Sequence, residues 1–125
     1  CSPPIYILSV GTVSMYDTLR QLTPTQYSAQ LNTLASALKN ASYVNYGRIV
    51  LTVPPVPTGP YTLLSPYTLN DYRFAIISLA KTLGCGYIDL SRVRLTASDY
   101  QADGLHPNAT GAAKLAKHYN SMLEF

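Results

Sequence analysis

Arg48-Ile49-Val50-Leu51-Thr52-Val53-Pro54-Pro55 is an unbroken run of aliphatic and β-branched residues that two prolines bring to a stop. Gly47 precedes it and proline cannot donate to a strand ladder, so the run predicts a short strand with a fixed end. A strand that is apolar at every position, rather than every second one, suits a sheet covered on both faces, the usual setting of parallel strands. Two similar runs lie to either side in sequence. Ile5-Tyr6-Ile7-Leu8-Ser9-Val10 stops at Gly11, and Tyr87-Ile88-Asp89-Leu90 follows Gly84-Cys85-Gly86. Strands are therefore expected over 5–10, 48–53 and 87–90.

Between the strands the apolar spacing becomes helical. Thr23-Pro24-Thr25-Gln26 forms a capping box with proline in the first turn, and Tyr27, Leu31, Leu34, Ala35 and Leu38 then share one face, which predicts a helix over 24–40. Asn70 and Asp71 can cap a second helix bearing Phe74, Ile76, Ile77, Leu79, Ala80 and Leu83, with Gly84 at its end. Residues 91–107 read as a loop. Asn108 starts a last helix with Leu115, Ala116, Tyr119, Met122 and Leu123 on one side. Strand and helix alternate throughout, which implies a parallel sheet with right-handed crossovers and helices on both faces: a flavodoxin-like, three-layer α/β fold.

At 125 residues and 47% hydrophobic, the chain suits a single domain over 1–125 with a real core. Its nine basic residues are scattered singly and the net charge is only +3, so no stripe follows a phosphate backbone and nucleic acid is not an expected partner. No apolar run approaches the roughly 20 residues of a membrane span. The two histidines and two cysteines have no paired ligand spacing, and Gly84-Cys85-Gly86 precedes a strand where a nucleotide fingerprint would follow one; neither a metal nor a cofactor is expected. Three parallel strands leave an apolar strand on an edge. Together with a start at Cys1-Ser2-Pro3-Pro4, lacking the charged-then-apolar order of a signal peptide, this predicts that the first strands come from upstream or companion polypeptide. Cys1 and Cys85 could pair with each other, pair with that polypeptide, or stay free. Eleven tyrosines and the sequons Asn40-Ala41-Ser42 and Asn108-Ala109-Thr110 lean toward a secreted or particle-surface protein.

The stretch richest in chemistry is Asp103-Gly104-Leu105-His106-Pro107-Asn108, followed by Gly111. A carboxylate three residues before a histidine, on a loop pinned by glycine and proline, can accept the Nδ1 proton and leave Nε2 free to take a proton from a nucleophile. The competing reading is a surface loop whose aspartate merely caps a turn. With the small-residue helix after it, the proline turn after Leu51-Thr52-Val53, and Tyr87-Ile88-Asp89-Leu90 before it, the hexapeptide resembles the closing motif of the SGNH (GDSL-type) ester hydrolases. The likeness runs from Ile5 to the last helix. It implies that these residues are the C-terminal part of an SGNH-type domain in which His106 is general base and then general acid and Asp103 holds its tautomer. The implied substrates are carboxylic esters, with acetylated carbohydrates or lipid esters as the classes.

Two departures accompany the resemblance. The family's Gly-x-Asn-Asp motif aligns with Gly11-Thr12-Val13-Ser14, which puts Gly11, Val13 and Ser14 in the oxyanion region although valine has no donor. Loss of one such donor typically slows a hydrolase by about 100- to 1,000-fold. The family's Gly-Asp-Ser turn occurs nowhere in these residues, so the serine has to come from outside the chain; Ser14 lacks the small neighbours of a nucleophile elbow. The alternative of another class is a non-catalytic SGNH-like binding or structural domain of a larger secreted or viral assembly, and a third is a flavodoxin-like binding domain unrelated to hydrolases. His118 reads as an ordinary helix residue. Tyr61, Tyr67 and Tyr72 are candidates to line a sugar cleft near the proline-rich loop.

Overall fold

A computed structural model describes residues 4–123. Strands β1 (Tyr6–Leu8), β2 (Ile49–Val53) and β3 (Gly86–Asp89) form a parallel sheet in the order β1-β2-β3. β2 takes the centre, as its unbroken apolar run requires: all five of its residues are buried. Tyr6 pairs with Ile49 and Leu8 with Leu51 on one side; Val50 pairs with Gly86 and Val53 with Asp89 on the other. The three C-terminal strand ends therefore lie together, on the side where open α/β sheets carry their sites.

Two helices cover one face. α2 (Pro24–Ser42) brings Tyr27, Leu31 and Ala35, and α3 (Leu69–Leu83) brings Tyr72, Ile76 and Ala80, into one core with Ile49, Leu51 and Val53. The Tyr27 and Tyr72 rings meet edge to face with centroids 6.4 Å apart, a packing that adds about 0.5–1.5 kcal/mol to their burial. On the opposite face α4 (Ala109–Met122) lays Leu115 and Tyr119, with Leu123 just beyond it, against Val50, Ile88 and Leu90. Successive residues of β2 thus serve different cores, as the two-residue period of a strand dictates.

Several expectations need correction. The first strand is shorter than 5–10, and it is half-exposed rather than buried on both faces, with Ile7 36% accessible and Val10, past the strand's end, 38%. It lies at the edge of the sheet, and no described strand lies beyond it. A short helix, α1 (Thr12–Tyr16), follows at once and buries Met15 and Tyr16; five residues are too few to show an amphipathic repeat. α2 runs on to Ser42 and stops where Tyr43 turns left-handed, and its Thr23/Gln26 capping box forms. The cap of α3 is Thr68 in a box with Asp71, while Asn70 accepts from Arg73 Nη1 instead. β3 ends at Asp89, because the Asp89 carboxylate accepts the Ser91 amide and tightens Leu90–Arg92 into a 3-10 turn. Leu34, Phe74, Ala116 and Met122 are exposed, since each helix buries only the stripe that touches the sheet or its neighbour. Cys1 lies outside the described residues, among which Cys85 has no disulfide partner. No described helix is long and apolar enough to cross a membrane.

One side chain ties β1 to the centre. The buried Thr52 hydroxyl donates to the Leu8 carbonyl at 2.8 Å. Thr52→Val keeps the shape and removes the donor, which should cost about 1 kcal/mol. A urea midpoint that does not fall would show that the hydroxyl adds nothing.

Candidate active site

The site begins where β1 stops. The buried Tyr27 ring sends its hydroxyl to the Val10 carbonyl at 3.2 Å, directly beneath the turn. Gly11 answers with φ of 113°, in the left-handed region, and a Cβ there would lie 2.7 Å from Tyr27 Cζ. The turn feeds α1, and residues 9–14 form one wall of a cleft of about 310 Å³. His106 forms the other. Gly11, Val13, Ser14 and His106 are thereby brought to one place although more than 90 residues separate the turn from the histidine.

Residues 103–108 reach the cleft from the far side of the sheet as a loop tied at several points. Asp103 Oδ1 accepts the amides of Leu105 at 2.9 Å and His106 at 3.0 Å, and Oδ2 accepts from His106 Nδ1 at 2.6 Å. The aspartate therefore caps a turn and also holds the imidazole. Gly104, at φ of 68°, presses on the proline-rich loop so closely that a Cβ would stand 2.8 Å from Gly59 N. Its carbonyl accepts the amides of Thr58 and Gly59, and the Tyr61 hydroxyl donates to the Asp103 carbonyl at 2.8 Å. At the other end Asn108 caps α4 by accepting from Gly111 N, and its amide group donates to the carbonyls of Ser98 and Tyr100. That sequon asparagine is fully engaged, whereas Asn40 is exposed on α2.

The Asp103 and His106 side chains keep 39% and 50% of their surface exposed. The His106 ring hydrogen bond, followed by the two backbone amides, holds the Asp103 carboxyl down at about 2. An aspartate ionised at neutral pH can only accept, so the proton between the pair belongs to Nδ1 and Nε2 is left as an acceptor. Because the folded value is the lower one, the pair's contribution to stability is present above the ordinary carboxylate range near 3.9 and is lost as pH falls through about 2. Chemically, the arrangement is a base with its tautomer fixed, facing a cleft.

The other candidates fare differently. Val13 lies in the cleft without a side-chain donor, and the Ser14 hydroxyl donates to Gln30 Oε1 at 3.2 Å. Tyr72 is fully buried with its hydroxyl on the Leu22 carbonyl, so it lines no sugar cleft. Tyr67 packs edge to face on Tyr72, and Tyr61 is spent on the Asp103 carbonyl. His118 sits half-buried on α4, and among the described residues no cluster of His, Cys, Asp or Glu could hold a metal. Sequence reasoning missed the support that Tyr27 gives the Val10 carbonyl, the bond of Tyr61 to the Asp103 carbonyl and the Thr58-Gly59 amides, for which no local signal exists. It also missed Asp99, although Thr96-Ala97-Ser98-Asp99 is a readable capping box.

No family model and no curated protein matches the chain. Solved structures do. One superposes with a TM-score of 0.72 at 16% identity, covering 98% of this chain and 66% of its own. LAE5, an alpha/beta hydrolase enzyme from the metagenome of Lake Arreo, Spain, gives 0.59 at 18% identity, covering 95% of this chain and 59% of its own. A mutant of Axe2, an acetyl-xylooligosaccharide esterase from Geobacillus Stearmophilus, gives 0.59 at 19%, covering 95% and 57%. The chain thus has an α/β fold of the kind found in LAE5 and Axe2, and it spans about three fifths to two thirds of the length of the three matched structures.

Proposed function

We propose that the chain supplies the acid–base half of a serine ester hydrolase of SGNH type, acting on carboxylic esters such as O-acetylated carbohydrate. The observation that carries this reading is the 2.6 Å contact between His106 Nδ1 and Asp103 Oδ2 at the wall of a cleft. His106 removes the proton of a serine hydroxyl as it attacks the ester carbonyl, then returns that proton to the leaving alkoxide; Asp103 stabilises the imidazolium formed between the two steps. The serine belongs to polypeptide outside this chain. The half-exposed edge of β1 and the partial length of the match to solved structures support a companion segment that completes the sheet there. A secreted or particle-surface setting fits the exposed sequon at Asn40.

A specific observation favours a second reading. Val13, which the resemblance aligns with an oxyanion donor, lines the cleft with no side-chain donor, and Ser14 is bonded to Gln30. A non-catalytic domain using the same cleft to bind would need no such donor. Labelling of the intact parent assembly with a fluorophosphonate probe separates the two. The hydrolase reading expects a labelled serine outside residues 1–125 and loss of labelling in His106→Ala. A folded assembly that takes no label is the binding domain.

A further inference from the structure

The Asp103–His106 loop is closed at its base by a second acidic residue. Asp99 is fully buried, and its Oδ2 gathers the Thr96 amide at 2.8 Å, the Thr96 hydroxyl at 3.2 Å and Lys114 Nζ at 2.8 Å. Its Oδ1 is buried with no hydrogen-bond partner among the described residues. A carboxylate so placed keeps its charge because the Oδ2 side is heavily supplied, and among the described residues the countercharge there comes from Lys114, which reaches in from α4 with 45% of its side chain exposed. The Asp99 backbone carbonyl meanwhile accepts the Asn108 amide at 2.9 Å. Asn108 donates in turn to the carbonyls of the residues on either side of Asp99, and Gln101 donates to the His106 carbonyl at 2.8 Å.

We propose that the buried Asp99–Lys114 ion pair is the latch that positions His106 against Asp103. It joins the Ala97–Asp99 turn to the first half of α4, and the residues between, 100–108, form a closed loop with Asp103 and His106 at its tip. Neither Asp99 nor Lys114 touches the imidazole; both act through the backbone. With the latch open, α4 and the turn separate at Asn108, the His106 carbonyl loses its fixed partner, and the three short bonds onto Asp103 lengthen together. The functional meaning of the latch rests on the reading of Asp103 and His106 as the reacting pair, but the latch itself is measurable without any substrate.

The test uses the full chain, isotopically labelled, and follows by NMR the titration of the Asp103 carboxyl carbon and the Nδ1 proton of His106. The wild-type Asp103 midpoint is expected near 2. In Lys114→Gln it should rise toward the ordinary value of about 3.9, and the Nδ1 proton signal should broaden or vanish, with Lys114→Arg restoring both. Should Lys114→Gln fail to fold, Asp99→Asn serves in its place, since it breaks the ion pair without burying a lone charge. A folded variant of either kind whose Asp103 still titrates near 2 and whose Nδ1 proton is unchanged overturns the latch. Simple destabilisation would lower the melting point and leave both signals where they were.

Discussion

Asp103→Asn is expected to lower turnover of the assembled hydrolase by about 10³- to 10⁴-fold while the loop stays folded. The amide oxygen of asparagine can take over from Oδ1 as acceptor for the Leu105 and His106 amides, which lie at 2.9 and 3.0 Å, so the turn is preserved. The position of Oδ2 is different. There an amide group would present a donor to His106 Nδ1 across 2.6 Å, and two donors cannot share that contact. The ring escapes by moving its proton to Nε2, which makes Nδ1 the acceptor and leaves the cleft-facing nitrogen unable to receive a proton from serine. Single-turnover kinetics would read the loss, and nitrogen chemical shifts of the ring would read the tautomer. A fall of less than tenfold with the tautomer reversed would mean that His106 is not the base. The wild-type carboxylate, held at about 2, remains ionised down to strongly acid solution, so protonation of Asp103 cannot be the cause of any activity loss between pH 4 and 7.

How much of this was legible in the sequence depends on the range of the interactions. The three strands and three long helices were readable because periodicity and caps are local: Thr23 with Gln26, the buried run of β2, and Gly84 in the left-handed position at the end of α3. Faces were less readable. Leu34 and Phe74 carry the right residue types at the right spacing, yet each helix meets the sheet through a narrow stripe that spacing alone does not locate. The pairing of Asp103 with His106 was visible because three residues separate them. Their placement opposite Gly11, Val13 and Ser14 was inferred through resemblance, since more than 90 residues of chain separate the two walls of the cleft. The supports of the loop, the Tyr61 hydroxyl on the Asp103 carbonyl and the Thr58 and Gly59 amides on that of Gly104, all end on backbone carbonyls that any sequence possesses. Such bonds leave no residue-type signature.

Gly11→Ala should destabilise the chain by about 4 kcal/mol, through backbone strain and overpacking together. At φ of 113° an alanine is strained whatever space surrounds it, and here the space is taken: its Cβ would stand 2.7 Å from Tyr27 Cζ and closer still to the hydroxyl. Tyr27 cannot withdraw, because its ring is buried among Leu31, Tyr72 and Ile76 and its hydroxyl is bound to Val10. A drop in melting temperature of about 15 °C follows for a domain of this size. Tyr27→Phe by itself removes one hydrogen bond and should cost only about 1 kcal/mol. The double variant is the informative one: it relieves the collision with the hydroxyl but leaves the ring carbon and the backbone strain, so it should recover part of the loss and not all of it. Full recovery would assign the whole effect to the hydroxyl, and no recovery would assign it to the ring carbon and φ together. A melting point within about 2 °C of wild type for Gly11→Ala would mean that the turn is not held by Tyr27 at all. The cleft would then lack a rigid wall opposite His106, because Val13 and Ser14 take their places from that turn.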